Sequence, residues 1–165
     1  MIGVVTAFAL FGGALNFGGS SAHGPDLQVK HYALKGWRID VGHDRFKNST
    51  VCSIRKSTVL YSHGVLTFRF GHKVDTANAV FRVDDGPLLA VGSVAVKAAG
   101  LGAPFNGPNL NNPSDGAVYI PADDVGNARQ VSIKPNSKMT HRVFGLTGLS
   151  QAIEAAKGQN CDIPH

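Results

Sequence analysis

Seven histidines and two cysteines carry most of the chemical potential of this 165-residue chain. The tail Gly158–His165 sets Cys161, Asp162 and His165 within five positions of one another, the residue types from which a thiol nucleophile or a metal site is built. His63 and His72 bracket the run Val65–Phe70. Nine positions of extended chain span roughly 30 Å, so these two cannot share one ion unless the chain folds back. His141 opens a later β-type run, while His31 and the pair His43-Asp44 read as polar loop residues. His23 has the sharpest chemistry. With cleavage after Ala22, its α-amine and imidazole could chelate copper, and His63, His72 or His141 would supply a third nitrogen. The competing reading of every histidine is a solvated turn or terminus.

Other constellations are weaker. Asp84-Asp85-Gly86-Pro87 has the composition of a turn, because Asp side chains bond nearby amides and Gly accepts positive φ. Neither it nor Asp123-Asp124 has the ligand spacing of a calcium loop. The serines form no Gly-x-Ser-x-Gly elbow, and neither a phosphate loop nor a dinucleotide fingerprint is present.

The first 25 residues contain no Asp, Glu, Lys or Arg, and an apolar run ends in Ser20-Ser21-Ala22. That is the pattern of a secretory signal peptide over residues 1–22, too short and too Gly-broken for a membrane span, although it lacks a basic n-region. Residues 23–165 then form one domain of a size able to bury a hydrophobic core. In an exported chain the two cysteines, Cys52 and Cys161, are expected to form a disulfide closing a long loop. Export also removes reactivity as the expected role of the tail cluster.

The net charge is +5, and the basic residues are scattered, with Arg55-Lys56 the densest pair. This favours anionic surfaces. It does not indicate nucleic acid, because there is no basic helix, no block of like charge and no interleaving of aromatic with basic residues.

The elements that must position these residues are short β-type runs. They fall at 37–41, 50–55, 58–62, 65–70, 79–85, 117–122, 130–135 and 141–146. In the fourth run Leu66, Phe68 and Phe70 share one face and Val65, Thr67 and Arg69 the other, the period of a half-buried strand. Turn residues separate the runs at hairpin spacing. About eight strands without interleaved helices predict an antiparallel β-sandwich or barrel. The apolar stretch 88–102 fits a buried strand or a short helix, and its first half is expected as strand, since Val91, Val94 and Val96 are β-branched and Gly92 disfavours helix. It runs into a long Gly-, Pro- and Asn-rich loop over 100–116, expected as an ordinary mobile insertion, with a lid beside a ligand site as the alternative. One helix is expected over 147–158, with Leu149, Ala152, Ile153 and Ala156 on its buried face, Thr147 as cap and Gly158 at its end. The lead-in 23–36 reads as a linker.

The segments GWRIDV, CSIRKSTVL and RVFGLTGLSQAIEAA resemble the bacterial invasion-associated locus B proteins: a first strand, a cysteine-bearing strand, and a closing strand with its terminal helix. The resemblance covers about a quarter of the chain. That family tends to carry more cysteines, one of them soon after the first-strand Trp, where this chain has Asp40 and Val41. It implies a small periplasmic or surface β-sandwich without a known catalytic site. The mature start at His23 resembles the copper-binding histidine brace of lytic polysaccharide monooxygenases, which would imply an oxidase.

Two functions are therefore expected in competition. The first is an exported, non-catalytic protein, periplasmic or secreted, that contacts a protein partner or an anionic envelope polymer through Arg55, Lys56, Arg69 and Lys73 beside the 100–116 loop. The second is a copper protein built on His23.

Overall fold

The computed structural model describes residues 27–71, 73–103 and 116–161. Its organisation starts from tight turns. Lys35-Gly36 (φ 49° and 81°) and His63-Gly64 (φ 48° and 78°) take the left-handed pair of angles that lets a two-residue turn match the twist of its flanking strands. Each such turn fixes the register on either side of it.

The first turn joins β1 (Leu27–Leu34) to β2 (Trp37–Asp44). A four-residue turn leads to β3 (Ser49–Lys56), Ser57-Thr58 leads to β4 (Val59–Ser62), and His63-Gly64 leads to β5 (Val65–Arg69). Together with β8 (Ala117–Pro121) these make an antiparallel six-stranded sheet in the order β1-β2-β3-β4-β5-β8. A second sheet, β10-β9-β6-β7, is built from β6 (Val80–Val83), β7 (Leu89–Ala90), β9 (Gln130–Lys134) and β10 (Arg142–Gly145). The sheets form an open sandwich, not a closed barrel.

The expected alternation of the fifth strand is realised. Leu66, Phe68 and Phe70 are buried between the layers, and the Phe144 ring of β10 meets Phe68 and Phe70 edge-on at 5.0 and 5.5 Å. Trp37, Phe68 and Phe81 are fully buried, each such side chain contributing about 1.5–3 kcal/mol by leaving water. Where the second sheet stops, α2 (Leu149–Lys157) covers the inner face of β2 and β3, burying Leu149, Ala152 and Ala156. The Cys52–Cys161 disulfide ties the end of this helix to β3 across 109 positions of sequence.

Four expectations need correction. The lead-in is not a linker: from Leu27 it is β1, which pairs with β2 along its whole length. The apolar stretch 88–102 is largely helical. Only Leu89–Ala90 is strand, followed by a 3₁₀ turn (Val91–Ser93) and α1 (Ala95–Gly100). Here tertiary packing overrides β-propensity, because Ala98 and Leu101 pack on Val65, Ala117 and Tyr119 on the outer face of the large sheet. Thr147 does not cap α2, whose N-cap is Gly148 in a left-handed conformation (φ 90°). The Thr147 carbonyl instead accepts a hydrogen bond from Trp37 Nε1 at 3.0 Å. Finally, His31 and His43 are strand residues of β1 and β2, not loop residues.

Candidate functional site

The cysteines are structural. Cys161 is buried, and among the described residues neither cysteine is a free thiol. Asp162 and His165 of the tail lie outside the described residues, as do His23, His72 and positions 104–115 of the long loop. His63 and His141 occupy turns of different sheets: His63 in the β4–β5 hairpin with Nδ1 2.8 Å from Ser62 Oγ, and His141 at the entry to β10. Among the described residues no three of His, Cys, Asp and Glu gather as metal ligands.

The predicted basic surface is split by the pleat. Arg55 and Lys56 are neighbours in sequence, so they point to opposite faces of β3. Lys56 turns inward, its Nζ 5.6 Å from the centre of the Trp37 ring. Arg55 turns outward, on the same face as Arg69 two strands away, while Lys73 lies in the connection after β5 at φ 67°.

Arg55 joins a cluster the composition did not reveal. Asp40 is the only charged residue among those buried in the described part of the chain, at 5% exposure, yet it points away from the core, since Ile39 and Val41 on either side face inward. Its cover is its own partners. Oδ1 lies 2.6 Å from His31 Nδ1 and 2.6 Å from Arg38 Nε, and Oδ2 is 2.8 Å from Arg55 Nη2. The Arg55 contact is an ion pair without hydrogen-bond alignment. Arg38 Nη2 lies 2.9 Å from His31 Nδ1 and 3.3 Å from Nε2, so the guanidinium sits against the imidazole ring.

Register places the four groups. The Lys35-Gly36 turn sets His31 opposite Asp40, and the next hairpin sets Asp40 opposite Ser53 and Arg38 opposite Arg55. One carboxylate thus holds two guanidinium groups on adjacent strands, where opposed Cβ atoms are about 5 Å apart. Both stay partly exposed, Arg38 at 46% and Arg55 at 38% of the side chain. The outcome is a pair of planar donors gathered at one carboxylate and partly open to solvent, with the His31 ring beside it.

His31 and Asp40 are paired as in a hydrolase, where the carboxylate orients a general base. A relay needs the histidine between acid and nucleophile. In this sheet Asp40 stands between His31 and Ser53, so the row cannot pass a proton from Ser53 to His31. The arrangement can hold an anion through charge-assisted, directional hydrogen bonds.

The acidic pairs have structural work. The Asp84 carboxylate accepts the backbone N–H groups of Arg129 and Gln130 at 3.0 Å each, and Asp124 pairs with Lys97 at 2.8 Å. That contact raises the Lys97 pKa, with burial opposing and Asp123 adding to it. Tyr61, buried in the large sheet, has its phenol pushed above the usual 10, chiefly by desolvation.

The sequence held one signal for the cluster. A two-residue turn centred on Lys35-Gly36 pairs positions whose numbers sum to 71, which brings His31 to Asp40 directly. Reading 23–36 as a linker hid it.

No protein-family model, no curated protein and no solved structure matches the chain. No helix among the described residues is long and apolar enough to cross a membrane.

Proposed function

We propose that this protein is an exported, non-catalytic binding protein that docks an anionic polymer on the outer face of β1–β3. One observation carries the reading: Arg38 and Arg55, on adjacent strands, are gathered at a single buried carboxylate while their side chains stay partly open to solvent. A surface arginine left to itself loses side-chain entropy when it binds. Here that entropy is already lost in the free protein, so less is lost on binding. The flanking positions Ala33, Gly42 and Ser53 are small, leaving a flat platform on which phosphate, sulfate or carboxylate groups can reach both guanidinium groups. The +5 net charge favours approach of a polyanion from solution. The disulfide supports work in an oxidising compartment, the periplasm or the exterior.

The test is titration of the intact protein with dextran sulfate and with uncharged dextran, at low and high salt. Dextran sulfate binds, the affinity falls as salt rises, and neutral dextran does not bind. Replacing both arginines with Met weakens binding at least about tenfold, since a hydrogen bond to a charged group contributes roughly 1.5–3 kcal/mol. Equal binding of the two dextrans, or an unchanged Met variant, contradicts the reading.

A further inference from the structure

A second feature lies at the open side of the sandwich, away from the Asp40 cluster. Among the described residues β10 is an edge strand, paired with β9 on one side only. The N–H of Leu146 donates to the Arg129 carbonyl, which marks 146, 144 and 142 as the positions whose backbone groups face β9. Antiparallel ladders alternate, so the N–H and C=O groups of Val143 and Gly145 point to the free edge. That edge forms one wall of a groove of about 480 Å³. The opposite wall is the β3–β4 turn, residues 56–59.

Two cations stand in this groove, each held on an aromatic face. Lys56 Nζ is 5.6 Å from the Trp37 ring centre, and the Arg142 guanidinium carbon is 5.5 Å from that of Phe70. Such contacts orient a cation without neutralising it. Among the described residues neither has a carboxylate partner, and no acidic residue lines the groove. The Val143 side chain is 54% exposed.

We infer that this groove binds an extended acidic peptide segment of another protein, which adds to β10 as a further strand. The unpaired Val143 and Gly145 groups supply the main-chain hydrogen bonds, and the charges select the side chains. In an added strand alternate residues face the groove. Carboxylates at those positions meet Lys56 and Arg142, while the intervening side chains face solvent. This peptide site is independent of the polyanion platform, which lies on the opposite face of the large sheet.

The probe is a fluorescein-labelled, end-capped hexapeptide alternating Thr and Glu, titrated by anisotropy against the full chain. Two control peptides carry Lys for Glu, or N-methyl groups on alternate amides. The Thr-Glu peptide binds saturably. N-methylation weakens it at least about tenfold, the Lys peptide does not compete, and Lys56→Ala with Arg142→Ala removes most of the salt dependence. Val143→Pro deletes an N–H that β9 does not use, so it weakens peptide binding and leaves dextran sulfate binding intact. Should that variant fail to fold, the N-methylated peptide on the wild-type protein decides alone. Absence of saturable binding, equal binding of the N-methylated peptide, or equal competition by the Lys peptide overturns the inference.

Discussion

Asp40 is buried in contact with its cationic partners, so the effect of removing them depends on what replaces them. Replacing Arg38 and Arg55 with Met keeps apolar stems over the carboxylate and removes both guanidinium charges. A carboxylate at 6% side-chain exposure would then retain His31 alone. Breaking a buried ion pair from one side costs about 3–5 kcal/mol, because the remaining charge has neither water nor partner. Asp40→Asn is milder. Arg38 and Arg55 are 46% and 38% exposed and can turn to solvent, so only the net ion-pair energy is lost, about 0.2–1 kcal/mol per contact. Combining Arg38→Met and Arg55→Met with Asp40→Val removes every charge of the trio together and brings stability back to within about 1–2 kcal/mol of wild type. Urea denaturation at neutral pH, disulfide intact, measures all three. In a thermal melt the double Met variant falls by roughly 10 °C, at about 2–4 °C per kcal/mol for a chain of this size. The reasoning is refuted if the double Met variant melts with the wild type, or if Asp40→Val fails to rescue it. The rescued triple variant also separates fold from function, since it stays folded and does not bind dextran sulfate.

Reduction of the Cys52–Cys161 bond frees a loop of 109 positions and lowers stability by about 4–5 kcal/mol in the chain-entropy model, read from urea midpoints with and without reductant. Gly148→Ala places a Cβ 2.7 Å from Lys35 Cβ at φ 90°, so it destabilises by about 1–3 kcal/mol and frees the start of α2, detectable by amide exchange over 149–153. The raised Tyr61 pKa means that the unfolded chain releases this proton first. Its contribution is therefore complete below pH 10 and lost as pH climbs through the higher folded value. Urea midpoints fall above pH 10, and Tyr61→Phe flattens that slope.

The fold was legible wherever one face of a strand is buried. The eight predicted runs all contain strands, and the terminal helix ends at Lys157 as its apolar spacing and Gly158 indicate. β1 was hidden because an edge strand with little buried surface has no hydrophobic alternation: Lys30, His31 and Tyr32 are all exposed. The helix α1 was hidden because Ala98, with Leu101 just beyond the helix, packs on the outer face of the large sheet, a partner that propensity does not see, while Val96 is left exposed. The disulfide followed from cysteine count and presumed export. The Asp40 cluster was missed because its four members come from three strands, and only register brings them together. Arg55 lies at the Asp40 carboxylate, whereas Lys56 beside it lines a groove on the other side of the same strand, a separation that adjacency in sequence hides.

The most direct measurement is a backbone amide chemical-shift map of the ¹⁵N-labelled protein titrated with a short sulfated dextran. The largest shifts are expected at His31, Arg38, Asp40, Ser53 and Arg55, saturating together and reversed by salt. Shifts confined to the β10 groove, or spread evenly over all basic residues without saturation, would contradict the assignment of the β1–β3 face as the polyanion site.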